Sequence, residues 1–306
     1  MKPTIGITIG DQAGIGLEII EKSIPEVKDI CNPFIIGESF PKGSITYGKV
    51  NAIYSRVAGE AIKKAVEMAL RGDIDAIVTA PINKEAFRLG GWDYPGHTEM
   101  LAKLTDTEDY AMMLVYRNLR VIHVTTHCSL RQALDLITIE RILRTVKTAY
   151  FTCQDLGIKE PRIAVAGLNP HSSDGGLFGN EEEKIIIPAI KLARIFANVH
   201  PLPIPADVVF ARAYGGAFDC VVAMYHDQGH IPLKTLGFVW DKEGNEWGSI
   251  DGVNITCGLP IIRTSPDHGV AFGKAGKGTA DPTSMISAIK IAVTLVKNRR
   301  ENALAW

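Results

Sequence analysis

Seven short apolar runs decide what this chain can fold into: Thr4–Ile9, Phe34–Ile36, Ala76–Thr79, Val121–Thr125, Arg162–Ala166, Cys220–Met224 and Ile261–Thr264. Several are apolar at consecutive positions. Both of their faces must therefore be covered, as in parallel strands lying between helices. The segments between them carry helical amphipathicity. Arg56–Arg71 reads as a helix with Ser55 as its cap and Gly72 just past its end. Glu140–Asp155 and Glu181–Ala197 read as helices, with Pro188 kinking or breaking the second. Thr283–Asn298 reads as a last helix with Pro282 near its start. This alternation predicts an α/β architecture with a mostly parallel sheet. The 306 residues contain no repeat, low-complexity tract or Pro/Ser linker, and they suffice for one two-lobed unit or two domains. Two lobes would have to be joined by strands crossing between them.

The charge balance excludes some partners. Lys and Arg number 33 against 34 Asp and Glu, a net charge of −1, so neither nucleic acid nor a polybasic membrane surface is expected. An anion must be held by local groups. No stretch reaches the ~20 apolar residues of a membrane span. The start, MKPTIGITIGD, has too short an apolar part for a signal peptide. The five cysteines form no CxxC pair, which fits reduced thiols in a cytoplasmic protein. Cys128 follows His127 and suits either a nucleophile or a small buried filler.

The ends of the apolar runs carry the chemistry. VIHVTTH ends at His127, RIAVAGLNPH at His171, CVVAMYHDQ reaches His226, and AIVTAPINK ends at Lys84. In open α/β sheets the carboxyl ends of the strands border the ligand crevice. Three imidazoles in equivalent positions point to a divalent metal with coordination positions left open for substrate. Asp227 then serves as an orienting partner or as an acid/base. His226 and His230 have helical i, i+4 spacing, but Gly229 and Pro232 argue against a helix. His230 therefore reads as a loop residue or one standing behind the ligands. His123 reads as packing, His200 as surface, and His268 as part of a loop suited to face a cofactor.

Anion groups form a second set. YPGHTE places His97 and Thr98 before a helix, and with Lys84 they suit a phosphate or carboxylate; alternatively Thr98 is only a cap. Lys234, Asn254 and Arg263 are further candidates. GDQAGIGLEI is a glycine-rich strand-to-helix turn that does not meet the GxGxxG fingerprint. GVAFGKAGKGTADP, with Gly273, Gly276 and Lys277, suits either a dinucleotide phosphate or a flexible loop.

GDQAGIG, TAPINK, YPGHTE, TTH, GLNPH, AMYHDQGH, GVNIT and IRTSPDHG occur in this order. Together they resemble the PdxA family, the 4-hydroxythreonine-4-phosphate dehydrogenases, from residue 4 to about 290. The resemblance implies the isocitrate/isopropylmalate dehydrogenase fold, two α/β/α lobes with a cleft between them, here residues 1–93 plus 255–306 and 94–254. It implies a homodimer whose metal ligands His127, His171 and His226 are shared between subunits. It places substrate on His97, Thr98, Lys234, Asn254 and Arg263, and puts Asp207 and Asp227 near the reacting carbons. The cofactors would be NAD and a divalent cation (Zn, Mg, Co or Mn).

The implied reaction is oxidation, with decarboxylation, of a 4-phosphorylated hydroxy acid. The cation acidifies the hydroxyl, Asp227 or Lys234 takes the proton, and the phosphate anchors the far end. There are departures from the family pattern. Gln12 and Leu17 replace prolines, Ser173 and Asp174 replace glycine and glutamate, Val208 replaces threonine, and Val239–Ile250 extends a loop. Two branches compete: vitamin-B6 synthesis on 4-phosphohydroxy-L-threonine, and sugar-acid catabolism on 4-phospho-D-threonate or 4-phospho-D-erythronate. RGDIDAIVTAPINKEA, DYPGHTE and GHIPLKTLGF resemble the second branch more. A phosphate acyltransferase of the same fold would not need the imidazole triad. A non-catalytic binding protein would not need Asp227.

Overall fold

The computed structural model describes residues 1–304. In chain order the first elements are β1 (Thr4–Thr8), α1 (Gly16–Val27), β2 (Asn32–Ile36), α2 (Ala52–Arg71), β3 (Ala76–Thr79), α3 (Lys84–Leu89) and α4 (His97–Leu104). Then come β4 (Ala111–Tyr116), β5 (Leu119–His123), α5 (Leu130–Leu136), α6 (Ile139–Asp155), β6 (Ile163–Val165), α7 (Ile187–Ala193), α8 (Ala206–Tyr214), β7 (Cys220–Ala223) and α9 (His226–Gly237). The chain closes with β8 (Phe238–Asp241), β9 (Glu246–Ile250), β10 (Val253–Cys257), β11 (Arg263–Pro266) and α10 (Thr283–Leu304). No helix among the described residues is long and apolar enough to cross a membrane.

The chain forms two compact units. One joins Met1–Glu108 to the chain from Phe238 onward, and the other is Asp109–Gly237. Residues 94–108 and 238–254, which the sequence reading put with the second lobe, thus belong to the first unit. For the first of these segments the reason is contact: α4 packs against α2. In the first unit the strands run in the order β2-β1-β3-β11-β10. They are parallel except for β10, which is antiparallel to β11. In the second the order is β4-β5-β7-β6, parallel except for β4 against β5. β3, β4 and β7 are buried at every position, as strands covered on both faces must be. β4 and β10 were not foreseen, although AMMLVY is a continuous apolar run.

Local chemistry sets the helix ends. Asn51, not Ser55, caps α2: its side chain accepts from the amides of Ile53 and Tyr54. Ser55 lies a turn inside the helix, is fully buried, and donates to Asp11 Oδ2 at 3.2 Å. Gly72, at φ +80°, ends the helix as expected. Pro188 does not break the Glu181–Ala197 segment: a π-helical turn (Glu182–Ile186) runs directly into α7, whose first turn holds Pro188, where a missing amide hydrogen costs little, and the helix ends at Ala193. Near the end of β1 the GDQAGIG turn meets TAPINK. A Cβ on Gly10 would stand 2.5 Å from the Pro81 carbonyl oxygen, so the approach requires glycine. The extended loop after α9 is an antiparallel hairpin, β8–β9, with Trp240 and Trp247 edge to face at 5.1 Å.

A further expectation is overturned. His226–Gly237 is helical despite Gly229 and Pro232. Gln228, Gly229, His230 and Leu233 all pack inward, and that burial outweighs the weak propensity.

Candidate active site

In the first unit Arg263, one of the candidate anion groups, is held in place by its neighbours. It is 3% exposed and sits on β11 between β3 and β10. Its Nε and Nη2 donate to Thr79 Oγ1 at 3.2 and 2.6 Å, and its Nη1 donates to Thr256 Oγ1 at 2.9 Å. Two hydroxyls thus fix the guanidinium plane. Burial pulls the Arg263 pKa down to about 9, with Glu99 opposing. A guanidinium held dry among hydroxyls is a ready partner for an anion.

His97 and Thr98 are the first two residues of α4, not residues ahead of it. Thr98 Oγ1 lies 3.5 Å from Thr256 Oγ1. The His97 Nε2 and Asn254 Oδ1 atoms are buried without hydrogen-bond partners, which is uncommon for buried polar atoms. His97 is held well below the ordinary histidine pKa by burial, then by Arg263 and Lys84. Lys84 opens α3 and is exposed. Thr79 and Thr256 were missed as site residues. Their signal was there: Thr79 ends a fully apolar strand, and Thr256 shares a strand face with Asn254 at period two.

The loop holding Gly273, Gly276 and Lys277 lies in this unit too. Ala271, Gly276 and Gly278 have positive φ, and the Lys274 and Lys277 amides close successive turns. Lys277 is exposed. Backbone turned this way, beside a lysine, suits the diphosphate of a dinucleotide. The Lys274 ammonium donates to the Trp247 carbonyl at 2.8 Å, joining this loop to the hairpin.

The second unit carries the three histidines expected to bind metal, His127, His171 and His226. His127 and His226 have ring centroids 6.0 Å apart and line a cleft of about 500 Å³ with Cys128, Tyr225 and Asp227. His226 Nδ1 faces Asp227 Oδ1 at 2.7 Å, so Nδ1–H donates to the carboxylate and Nε2 keeps its lone pair. Asp207, in the first turn of α8, and Asp227 border a second groove of about 610 Å³ with Tyr214 and Tyr225. Lys234 is half-buried on α9.

His171 stands apart on a turn of its own. His171, Ser172, Ser173, Asp174 and Gly175 all have φ between +44° and +69°, a left-handed run that L-residues resist. Glu182 holds its base. This carboxylate is 1% exposed and accepts from the Leu168 and Asn169 amides at 2.8 and 2.7 Å and from Asn169 Nδ2 at 2.8 Å. Gln228 binds both strand ends: it accepts from the Met224 amide at 2.7 Å and donates to the Gly167 carbonyl at 2.8 Å. Glu182 was not foreseen; an acid on the inward face of an amphipathic segment was the clue. Among the described residues no cluster of three or more His, Cys, Asp or Glu forms a complete metal site. The structure thus brings His127 and His226 near each other and gives His171 a separate, strained perch.

Two predictions arise here. Ser173→Gly should remove the cost of a left-handed serine, about 1 kcal/mol, and raise the melting temperature by about 2 °C; calorimetry checks this. The second concerns pH. His97 is depressed, and burial brings His123 down to about 4. The unfolded chain binds protons at these sites from about pH 6.5 downward, before the folded chain does. Stability should therefore hold above about pH 6.5 and fall toward pH 4. The melting temperature of chelator-treated protein across that range checks it, and His123→Leu should flatten the slope.

Comparison with known proteins places the chain. The family model described as pyridoxal phosphate biosynthetic protein PdxA matches residues 16–292. The D-threonate 4-phosphate dehydrogenase of Salmonella typhimurium is 44% identical, over 95% of this chain and 98% of that protein. The crystal structure of a 4-hydroxythreonine-4-phosphate dehydrogenase from Burkholderia phymatum superposes with a TM-score of 0.77 at 42% identity, covering 96% of this chain and 98% of that one. Isocitrate dehydrogenase from Methylococcus capsulatus, at 14% identity and a TM-score of 0.53, covers 98% of this chain and 88% of its own and shares the fold alone. The fold expected from the sequence is thus the fold found, and the chain belongs to the PdxA family.

Proposed function

We propose that this protein is an NAD- and divalent-metal-dependent dehydrogenase that oxidises D-threonate 4-phosphate and releases CO2. The observation that carries the reading is the buried Arg263 fork, with His97 and Asn254 offering unpartnered polar atoms beside it. A dianionic phosphate matches the guanidinium and an Nε2–H of His97, Asn254 Oδ1 is an acceptor suited to a substrate hydroxyl, and relatives at 43–46% identity are named for D-threonate 4-phosphate.

In this reading Arg263, Lys84, Thr98 and His97 hold the phosphate and fix the register of the carbon chain. Asn254 binds a substrate hydroxyl. His226, oriented by Asp227, and His127 supply imidazole nitrogens for the cation, and the donor set fits one. The third imidazole, His171, comes from a second copy of the chain in a homodimer. The cation, when bound, polarises the substrate hydroxyl. Asp227 is committed to His226, which leaves Lys234, as its neutral amine, to receive the hydroxyl proton. NAD would supply the acceptor for the carbon-bound hydride, and the Gly273–Lys277 loop would hold its diphosphate. The resulting 3-keto acid loses its carboxylate as CO2, and Asp207 acts near the reacting carbons.

Formation of reduced nicotinamide from D-threonate 4-phosphate and from 4-phosphohydroxy-L-threonine tests the assignment. The reading expects a higher kcat/KM for the first. A preference for the second would move the protein to vitamin-B6 synthesis, and turnover of neither would refute the reading.

A further inference from the structure

Three histidines form a column behind the cleft that the proposed reaction does not itself use in full. His226 and His230 lie one helical turn apart on α9, and their rings stack face to face, 3.6 Å between centroids and 12° between planes. His230 is 7% exposed, and its Nδ1 lies 2.9 Å from the His226 carbonyl oxygen. A carbonyl only accepts, so Nδ1 carries the proton and the ring is locked about both of its torsions. Behind it stands His123 on β5, 1% exposed, its centroid 4.7 Å from that of His230. His123 Nδ1 lies 3.2 Å from the Met112 carbonyl, which fixes this ring in turn. Gly229 makes the column possible: a Cβ there would stand 2.4 Å from His123 Nε2 and 2.7 Å from Val121 Cγ1.

We propose that His230, backed by His123, is a positioning residue: its ring is a flat stop that sets the plane of His226, so that Nε2 of His226 points into the cleft. Asp227 alone cannot do this. A single bond at Nδ1 fixes the tautomer but leaves the ring free to swing about the bond axis, and the His226 side chain is 40% exposed. The stacked face removes that freedom. The geometry also explains a helix that tolerates Gly229 and Pro232, because the i, i+4 spacing is what brings the two rings into register.

This inference rests on His226 being a metal ligand, so the test separates the two. Zinc binding to the full-length chain is titrated calorimetrically for wild type, His230→Phe, His230→Asn and His226→Ala, each at a temperature where its circular dichroism is that of the folded protein. Phenylalanine keeps the flat face; asparagine keeps a donor for the His226 carbonyl but has no face to stack. The expected result is zinc affinity within about threefold of wild type for His230→Phe and a loss of about tenfold or more for His230→Asn, the range typical of groups that orient a metal ligand. The cobalt-substituted forms should differ likewise in their visible absorption, which a purely structural role would leave unchanged. Equal affinity of the Phe and Asn variants, with His226→Ala unable to bind, would overturn the positioning role alone. Wild-type affinity in His226→Ala would overturn it together with the metal site on which it rests.

Discussion

Replacing Arg263 with methionine should raise the KM for the phosphorylated substrate about a hundredfold or more, yet leave the ligand-free protein at least as resistant to heat. The two halves follow from one fact. Arg263 is 3% exposed, and its guanidinium donates to the Thr79 and Thr256 hydroxyls. Burying a guanidinium costs solvation, which is why its pKa is pulled to about 9. An apolar side chain of similar length in such a place is commonly neutral or stabilising. Against a bound phosphate the account reverses. Loss of one buried, charge-assisted partner removes about 2–5 kcal/mol, and each 1.4 kcal/mol is tenfold in affinity. Steady-state kinetics and calorimetry on one variant check both. A variant that melts much lower and keeps its KM would show that Arg263 serves the fold and not a ligand.

His226→Ala should lower kcat at least about a hundredfold, since a bound cation supplies several kcal/mol of charge stabilisation. Metal content should fall with it. The fold should persist, because the His226 side chain is 40% exposed and faces a cleft rather than the core. Metal analysis beside circular dichroism separates the effects. Retained activity in a metal-poor variant would remove His226 from the set.

Much of this was legible in the sequence, for physical reasons that differ by element. β3 was read to its residue because three consecutive apolar side chains closed by a β-branched threonine have no other home. The polar ends of β5, β6 and β7 were legible because a buried strand that stops at histidine has few structural excuses. Tertiary effects were not legible. Gly229 and Pro232 speak locally against a helix, and only the close passage of His123 explains the glycine. Ser55 looked like a cap because serine caps helices, but its hydroxyl serves Asp11, 44 residues away in sequence. The left-handed run at His171–Gly175 has no signal in four non-glycine residues of five; Glu182, reaching back from the next turn, supports its base. Thr79 and Thr256 became site residues only when Arg263 was seen between their strands.

The most direct test of the central claim is reduced-nicotinamide formation from D-threonate 4-phosphate by chelator-stripped protein, before and after a divalent cation is restored. The account predicts no turnover before, recovery after, and one CO2 released per reduced nicotinamide. Full turnover by the stripped protein would contradict it, and the histidines at the strand ends would then need another reason to be there.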